Sequence, residues 1–516
     1  MRRLLFLPLC LLLNLSILTA TGSRVVTAHR MLPAGAIQVV SISPAARTLG
    51  APVNSEITVE FDRPVDAGTI DPYSFWAFGK WSGTVQGTYS FSAGDTIVTL
   101  TPDTPFSAGE QVMVILSHDI AGADGSALRS AGYSYQFWVA AGVISREYDH
   151  IQTLSSRHDP GPNTRSYGGV GTDLNNDGYL DLSIVNEDTA DVRVFLNRAD
   201  DSGTFDPFLE PPNPVNTQAS PSEPSDFDRD GNADLAIANI ATQSVSILLG
   251  NGDGTYAPQQ EVIVGPSPRG ITVLDVDGDG DIDIANTNFG SPGSVSILRN
   301  DGAGIFGPPT FFDGGGSEEW ALGAGDMNAD MILDLVVGLR SGPTIAIHTG
   351  NGDGTFSAGG TQDAGGLTWM LNVGDVNGDS HEDVIGANGF SHNGSILLGD
   401  GTGQLAPPVI YPTDPFALAT DIGDVDGDGD LDWVTSSFSG DWFLFENTGA
   451  GSFQFDQEFL APAAASCALL LDINNDGFLD LALIDEIADE IHIYKNVGES
   501  PPKPYVDSLF PIIYGD

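Results

Sequence analysis

The sequence predicts an all-β protein in which a β-sandwich precedes a seven-bladed β-propeller, and three observations predict it. A nine-residue acidic motif, Asp-x-(Asp/Asn)-x-Asp-(Gly)-x-x-Asp, begins at Asp173, Asp226, Asp275, Asp326, Asp375, Asp424 and Asp472, at intervals of 53, 49, 51, 49, 49 and 48 residues. Copies in such regular register mark a repeat architecture. Each interval holds about four short strands, and four-stranded units set around an axis make a propeller of ~4 to 8 blades. Residues 36–142 lack the motif and alternate apolar and polar residues in short runs split by Gly, Pro, Asp and Ser, the pattern of a sandwich.

Composition narrows the function classes. The 516 residues hold 70 Asp and Glu against 19 Lys and Arg, a formal net charge of −51. Such a surface repels phosphate backbones and anionic bilayers, which argues against nucleic acid and electrostatic membrane docking. Acidity of this kind often accompanies disorder, but 41% hydrophobic content with 26 Phe and 12 Tyr predicts a folded chain. No oligomeric state is legible in these figures.

At the N-terminus, Arg2 and Arg3 precede an apolar run over residues 4–18 and a small, polar stretch to Gly22, the pattern of a secretory signal over residues 1–22. The run is shorter than the ~20 residues of a membrane span. A secreted or cell-surface protein with no membrane insertion after cleavage is therefore expected. Cys10 leaves with the signal and Cys467 alone remains, so no internal disulfide braces the mature chain.

Within residues 36–142 the alternation is clearest at 56–61, 95–100, 111–116 and 133–139. The segment Ser41-Ile42-Ser43-Pro44, the stretch over residues 57–65, and Thr101-Pro102 followed by Gly109 resemble the bacterial Ig-like domains of S-layer and other surface proteins. The resemblance implies a spacer or presentation module without catalytic residues.

Residues 146–497 carry the repeats. Each motif leads into an apolar strand, as at 182–185, 235–238 and 335–337, then a second, as at 244–249 and 294–298. A glycine turn such as Asn251-Gly252-Asp253-Gly254 and a further strand complete the unit. Residues 148–154 precede the first motif and resemble the outer strands 259–264 and 408–411, whereas the last repeat ends at its third strand, 491–494. The early segment is expected to complete the last blade, closing the ring and removing exposed sheet edges. Residues 498–516 are a tail without assignment.

The motif has the chemistry of a hard-cation loop. Side chains at positions 1, 3 and 5 of a tight loop can converge, with a carbonyl from position 7 and the acid at position 9 completing a set of oxygen donors that suits calcium. Position 6 calls for Gly at the sharp turn. The copies obey this at Gly178, Gly231, Gly280, Gly429 and Gly477, and depart from it at Met331 and Ser380. Positions 2 and 10 are apolar in every copy, as at Val276 with Ile284 and Val425 with Trp433, and are expected to anchor the loop to the blade. No copy has Glu at position 12 and strands flank the loop, so it is not an EF-hand.

On these residues the chain resembles the FG-GAP and VCBS repeat families, which include the propeller of integrin alpha subunits. The resemblance covers residues 146–497 and implies calcium, mainly structural, between the first and second strands of a blade. It implies ligand roles for Asp173, Asn175, Asp177 and Asp181, and for Asp226, Asp228, Asp230 and Asp234. The same holds for Asp275, Asp277, Asp279 and Asp283, for Asp424, Asp426, Asp428 and Asp432, and for Asp472, Asn474, Asp476 and Asp480. Asp326, Asn328, Asp330 and Asp334 match less well because of Met331, as do Asp375, Asn377, Asp379 and Asp383 because of Ser380. Up to seven calcium ions are expected, with those two sites weaker or empty.

Ligand recognition is expected on the opposite face of the ring. Six residues before each motif stand Tyr167, Ser220, Arg269, Trp320, Trp369, Leu418 and Ser466, of which Arg269, Trp320 and Trp369 are candidate ligand-binding residues at the channel mouth. A cation beside two aromatics can stack on a sugar ring or a peptide side chain, or can simply plug the channel. Glu318, Glu319, Arg340 and Trp442 are expected in neighbouring loops of that face. The eight His residues form no ligand pattern, and neither a Gly-x-Ser-x-Gly elbow nor His-Glu-x-x-His occurs. The reading is a non-catalytic, exported calcium-binding protein for adhesion or extracellular recognition of a protein or glycan. The alternative is a polysaccharide-active lyase or hydrolase built on the propeller.

Overall fold

The computed structural model describes residues 35–158, 161–341 and 344–498. The signal reading over residues 1–22 and all but Gly498 of the tail lie outside the described residues.

The N-terminal domain is a sandwich of two sheets. One orders the strands Val39–Ser43, Ile57–Phe61, Ile97–Pro102 and Gly87–Ser92; the other orders Leu49–Ala51, Tyr133–Val139, Gln111–Leu116, Phe75–Gly79 and Gly83–Thr84. Val59, Phe61, Val98 and Leu100 meet Phe75, Val114, Tyr135 and Phe137 in the core between them. Ile57–Phe61 shows the expected in-out burial, but Phe75–Gly79 is buried at every position. Both of its faces are covered, since Phe75 and Ala77 face the sandwich core while Trp76 and Phe78 join a cluster with residues of the propeller.

The propeller has seven four-stranded blades. Blade 1 comprises Ser166–Thr172, Asp181–Asn186, Asp191–Phe195 and Asn213–Pro214. In blade 7 the strands Ala465–Leu471, Asp480–Asp485 and Glu490–Asn496 are completed by Tyr148–Ser155, paired antiparallel from Tyr148 opposite Asn496 to Ser155 opposite Glu490. The expected ring closure is thus present, with the chain's early strand fastening its late one.

The Ig-like domain is not a separate spacer, as its resemblance implied, but is seated on the ring. Numbering the Asp loops 1 to 7 in chain order, Trp81 O accepts Asp173 N of loop 1 at 3.0 Å, and Thr84 Oγ1 donates to Asp226 Oδ2 of loop 2 at 2.6 Å. In loop 3, Gly278 O accepts His118 N at 2.7 Å, Asp279 O accepts Ser117 Oγ at 2.7 Å and Gly280 O accepts Trp76 Nε1 at 2.9 Å. Arg47 reaches loops 4 and 5. The linker behind the domain holds loop 6 through Ile144 N on Asp426 O at 3.0 Å and loop 7 through Gly142 N on Gly477 O at 2.6 Å. Lys80 and Trp81 enter the channel, lining a cavity of about 120 Å³ with Glu223, Asp421 and Cys467. Burial works against the Lys80 charge there, but Glu223 and Asp421 more than offset it and hold its pKa above the ordinary value.

Candidate metal loops and the channel mouth

Seven loops of one design project from the covered face. In each, the position 6 N–H donates to Oδ2 of the position 1 Asp, over 2.7–3.0 Å. That bond closes the turn and requires a left-handed residue at position 6. The glycines there have φ of 86° to 96°, and Met331 and Ser380 adopt the same region at 59° and 66° despite their side chains.

The position 9 Asp opens the second strand of every blade and is fully buried or nearly so. Its Oδ2 accepts the position 2 N–H over 2.7–3.3 Å. Its Oδ1 accepts the backbone N–H that follows the third strand or ends it, over 2.7–2.8 Å. Position 9 therefore braces the loop against its blade, with only its remaining lone pairs free for a cation. The apolar residues at positions 2 and 10 are buried as expected, with Val276 at 3% and Ile284 at 0% exposure.

Carboxylates converge in three of the loops, with an arginine at the rim of two of them: Arg299 pairs with Asp277 of loop 3 at 3.1 Å, and Arg146 with Asp426 of loop 6. Ligand oxygens of Asp226, Asp228 and Asp230 lie within 4.8 Å of one another, as do those of Asp275, Asp277 and Asp279, and those of Asp424, Asp426 and Asp432. In loops 1, 4, 5 and 7 an Asn stands at position 3, so the oxygens presented are carboxylate and amide together. Burial, followed by the charges of Asp279 and Asp277, pushes Asp275 up to about 8. Burial pushes Asp181 to about 7 and Asp334, Asp383 and Asp432 to about 8. An oxygen-only donor set of clustered, partly solvent-shielded carboxylates fits a hard divalent cation.

These shifts give a pH dependence with a definite sign. A folded-state pKa above the ordinary 3.8 means that the folded chain binds more protons than the unfolded one between about pH 4 and pH 8, so stability falls as pH rises through that window. The metal-free protein is expected to melt at a higher temperature near pH 5 than near pH 8, and calcium is expected to reverse the order because it needs the deprotonated loops. Melting scans at both pH values with chelator and with calcium check this; a metal-free protein more stable near pH 8 contradicts it.

On the opposite face the structure brings Arg269, Trp320 and Trp369 together. The two indole rings lie 4.1 Å apart between centroids, and the Arg269 guanidinium sits 4.1 Å above Trp320. Trp369 Nε1 donates to Tyr167 OH at 3.1 Å, across the channel. Trp320 is only 5% exposed, and Leu418 and Ser466 are buried; the side chain of Ser220 lies outside the description. Arg340 joins the cluster, 4.9 Å from Trp320 and 4.5 Å from Phe390. Trp442 does not, because it opens the strand Trp442–Asn447, fully buried, with Nε1 donating to Cys467 O at 2.9 Å. Glu319 likewise opens a strand and is buried, while Glu318 stands before it in a left-handed turn with φ of 62°.

Residues 34–139 match the family model described as a bacterial Ig-like domain. Six overlapping matches to the FG-GAP-like repeat run from residue 173 to residue 483, more than half of the chain. The chain belongs to the FG-GAP-like repeat family.

Three solved structures illustrate its likeness to known chains. A chain in the crystal structure of BBS1N in complex with ARL6DN, soaked with lead, is 11% identical over 70% of this chain and 98% of its own, with a TM-score of 0.48. The WD40 beta propeller domain of Doa1 is 12% identical over 68% of this chain and 98% of its own, with a TM-score of 0.46. A functionally unknown protein from Desulfotomaculum acetoxidans is 12% identical over 59% and 89%, with a TM-score of 0.39. No curated protein matches in sequence. FG-GAP-like propellers with Ig-like domains are of the binding or adhesion type, typically non-catalytic and typical of extracellular or surface proteins. Among the described residues, no helix is long and apolar enough to cross a membrane.

The FG-GAP-like blades also carry residues that sequence reasoning passed over. Asn197, Asn300 and Asn447 each donate Nδ2 to the position 2 carbonyl of the preceding blade, at Ile473, Phe227 and Val376, over 2.7 Å. Where Gly250, Gly350 or Gly399 replaces this Asn, a Cβ would lie within 2.5 Å of the position 8 carbonyl. The signal was an Asn or Gly 15 to 17 residues beyond position 9. At the mouth, Phe289, Phe390 and Phe438 were legible by the same offset as Arg340, 14 or 15 residues beyond a motif's first Asp.

Proposed function

We propose that this FG-GAP-like repeat protein is exported and acts in adhesion or extracellular recognition, binding a protein or glycan at the channel mouth while calcium in the Asp loops stiffens the ring. The observation that carries the reading is the opposite fate of the two faces. The Ig-like domain covers the loop face, which leaves the mouth as the open one, and there Phe390 is 43% exposed beside Arg340 and Trp369. Aromatic rings supported by guanidinium groups stack on sugar rings and on peptide side chains. The carboxylates of loops 2, 3 and 6 converge within 4.8 Å, and calcium there, as in loops 1 and 7 with their mixed carboxylate and amide oxygens, would neutralise the repulsion between the acids.

Glycan and peptide arrays, probed with calcium and with chelator, test this. Trp369→Ala and Phe390→Ala are each expected to weaken saturable binding at least tenfold, about 1.4 kcal/mol. Undiminished binding in both variants removes the mouth as the site. Product formation on a captured glycan replaces the recognition reading with that of a polysaccharide-active enzyme.

A further inference from the structure

Arg47 belongs to the Ig-like domain and yet ends in the ring. It lies between the strands Val39–Ser43 and Leu49–Ala51 with φ of 63°, its N–H donated to Gln136 O at 2.7 Å. That backbone conformation is uncommon for a side chain other than Asn or Asp and fixes the direction of the Arg. Nη2 lies 2.6 Å from Asp326 O and 2.7 Å from Asp326 Oδ2, and Nε lies 3.4 Å from Glu382 Oε1. The side chains of Arg47, Asp326 and Glu382 are 7%, 4% and 8% exposed.

The two loops that flank this guanidinium are the two without Gly at position 6. Asp326 is position 1 of loop 4 and Glu382 is position 8 of loop 5. In loop 4 the replacing residue, Met331, packs against the core of the Ig-like domain. Its carbonyl accepts Ser134 N at 3.0 Å and Arg129 Nη2 at 2.7 Å, and Asp330 O accepts Arg129 Nη1 at 2.8 Å. A metal loop needs its first carboxylate turned toward the ion. The bonds from Asp330 N to Asp326 Oδ1 and from Met331 N to Oδ2 belong to the common loop design; what loop 4 adds is the Arg47 guanidinium on Oδ2 of position 1, whereas Arg299 and Arg146 meet loops 3 and 6 at position 3. A divalent ion bound to Asp326 would stand within about 5 Å of a buried guanidinium and be repelled by it.

We infer that loop 4 has exchanged its metal for Arg47, and that it serves as the socket in which Arg47, Arg129 and Met331 hold the Ig-like domain on the ring. The inference rests on the reading that the fuller loops bind calcium. It assigns the departure at Met331 to docking: the side chain that spoils the metal turn is the one that fits the neighbouring domain.

The test is the number of calcium ions retained per full-length chain after equilibrium dialysis, measured by elemental analysis on folded samples. Asp226→Asn is expected to lose one ion and Asp326→Asn none. If Asp326→Asn also loses one, loop 4 is an ordinary metal site and the inference falls while the calcium reading stands. A wild-type chain with no bound calcium overturns the calcium reading and the inference with it. Should Asp326→Asn not fold, Arg47→Met decides: a gain of one ion supports the exchange, and an unchanged count overturns it.

Discussion

Chelating calcium from the full-length protein is expected to lower its melting temperature by on the order of 10 °C. At a Kd of about 0.1 mM in millimolar calcium, mass action stabilises each site by about 1.4 kcal/mol. Five such sites contribute about 7 kcal/mol, and a chain of this size loses roughly 1–2 °C for each kcal/mol. The effect is large because the loops do not stand alone. Gly254 N, Gly304 N and Gly354 N, in the glycine turns, donate to the position 2 carbonyls Leu174 O, Phe227 O and Val276 O of the preceding blade, over 2.8–3.1 Å. A loop that opens under carboxylate repulsion therefore frees the edge of its neighbour as well. Calorimetry with chelator, followed by restored calcium, measures the shift. An unchanged melting curve would make the loops polar turns with no resident ion.

The ring was legible because its information is periodic. A motif repeated at nearly constant spacing sets blade number, loop position and the apolar anchors at once, and an unpaired early strand such as Tyr148–Ser155 declares how the circle closes. The seating of the Ig-like domain was not legible, because it depends on single residues that meet across long stretches of chain. Arg47 and Asp326 are 279 residues apart, and Trp76 and Gly280 are 204. Two local clues existed. Phe75–Gly79 reads Phe-Trp-Ala-Phe-Gly, with no polar position for a solvent face, and Met331 spoils an otherwise regular turn. Each looks like an imperfection within its own element, and each is explained by the element opposite. The position 9 Asp was read by its chemistry as a ligand. Its backbone hydrogen bonds to two separate segments could be seen only once the second and third strands were side by side.

Trp76→Ala is expected to destabilise the protein by about 3–5 kcal/mol, in the range for truncating a buried aromatic, and to loosen the Ig-like domain from the ring. Trp76 is 1% exposed and shares a buried cluster with Phe227, Val276 and Ile282 of loops 2 and 3. Its ring lies 4.3 Å beneath the Arg229 guanidinium, and its Nε1 is bonded to Gly280 O. Truncation thus removes apolar packing, a cation–π contact and a hydrogen bond at one point of the interface. Trp433→Ala makes the comparison. Trp433 is equally buried but sits inside blade 6, stacked on Phe445 at 4.6 Å, with Nε1 donating to Thr420 Oγ1 at 2.8 Å. Its loss should lower the melting temperature to a similar degree while the domain stays seated. Limited proteolysis of the linker over residues 140–147 separates the two: cleavage of folded Trp76→Ala but not of folded Trp433→Ala is the expected pattern. Because Gly280 occupies position 6 of loop 3, Trp76→Ala should also make that loop release calcium at a lower chelator concentration. Equal linker protection in both variants would mean that the domain is held by the remaining contacts around the ring, and that Trp76 serves the interior of the fold rather than its junction.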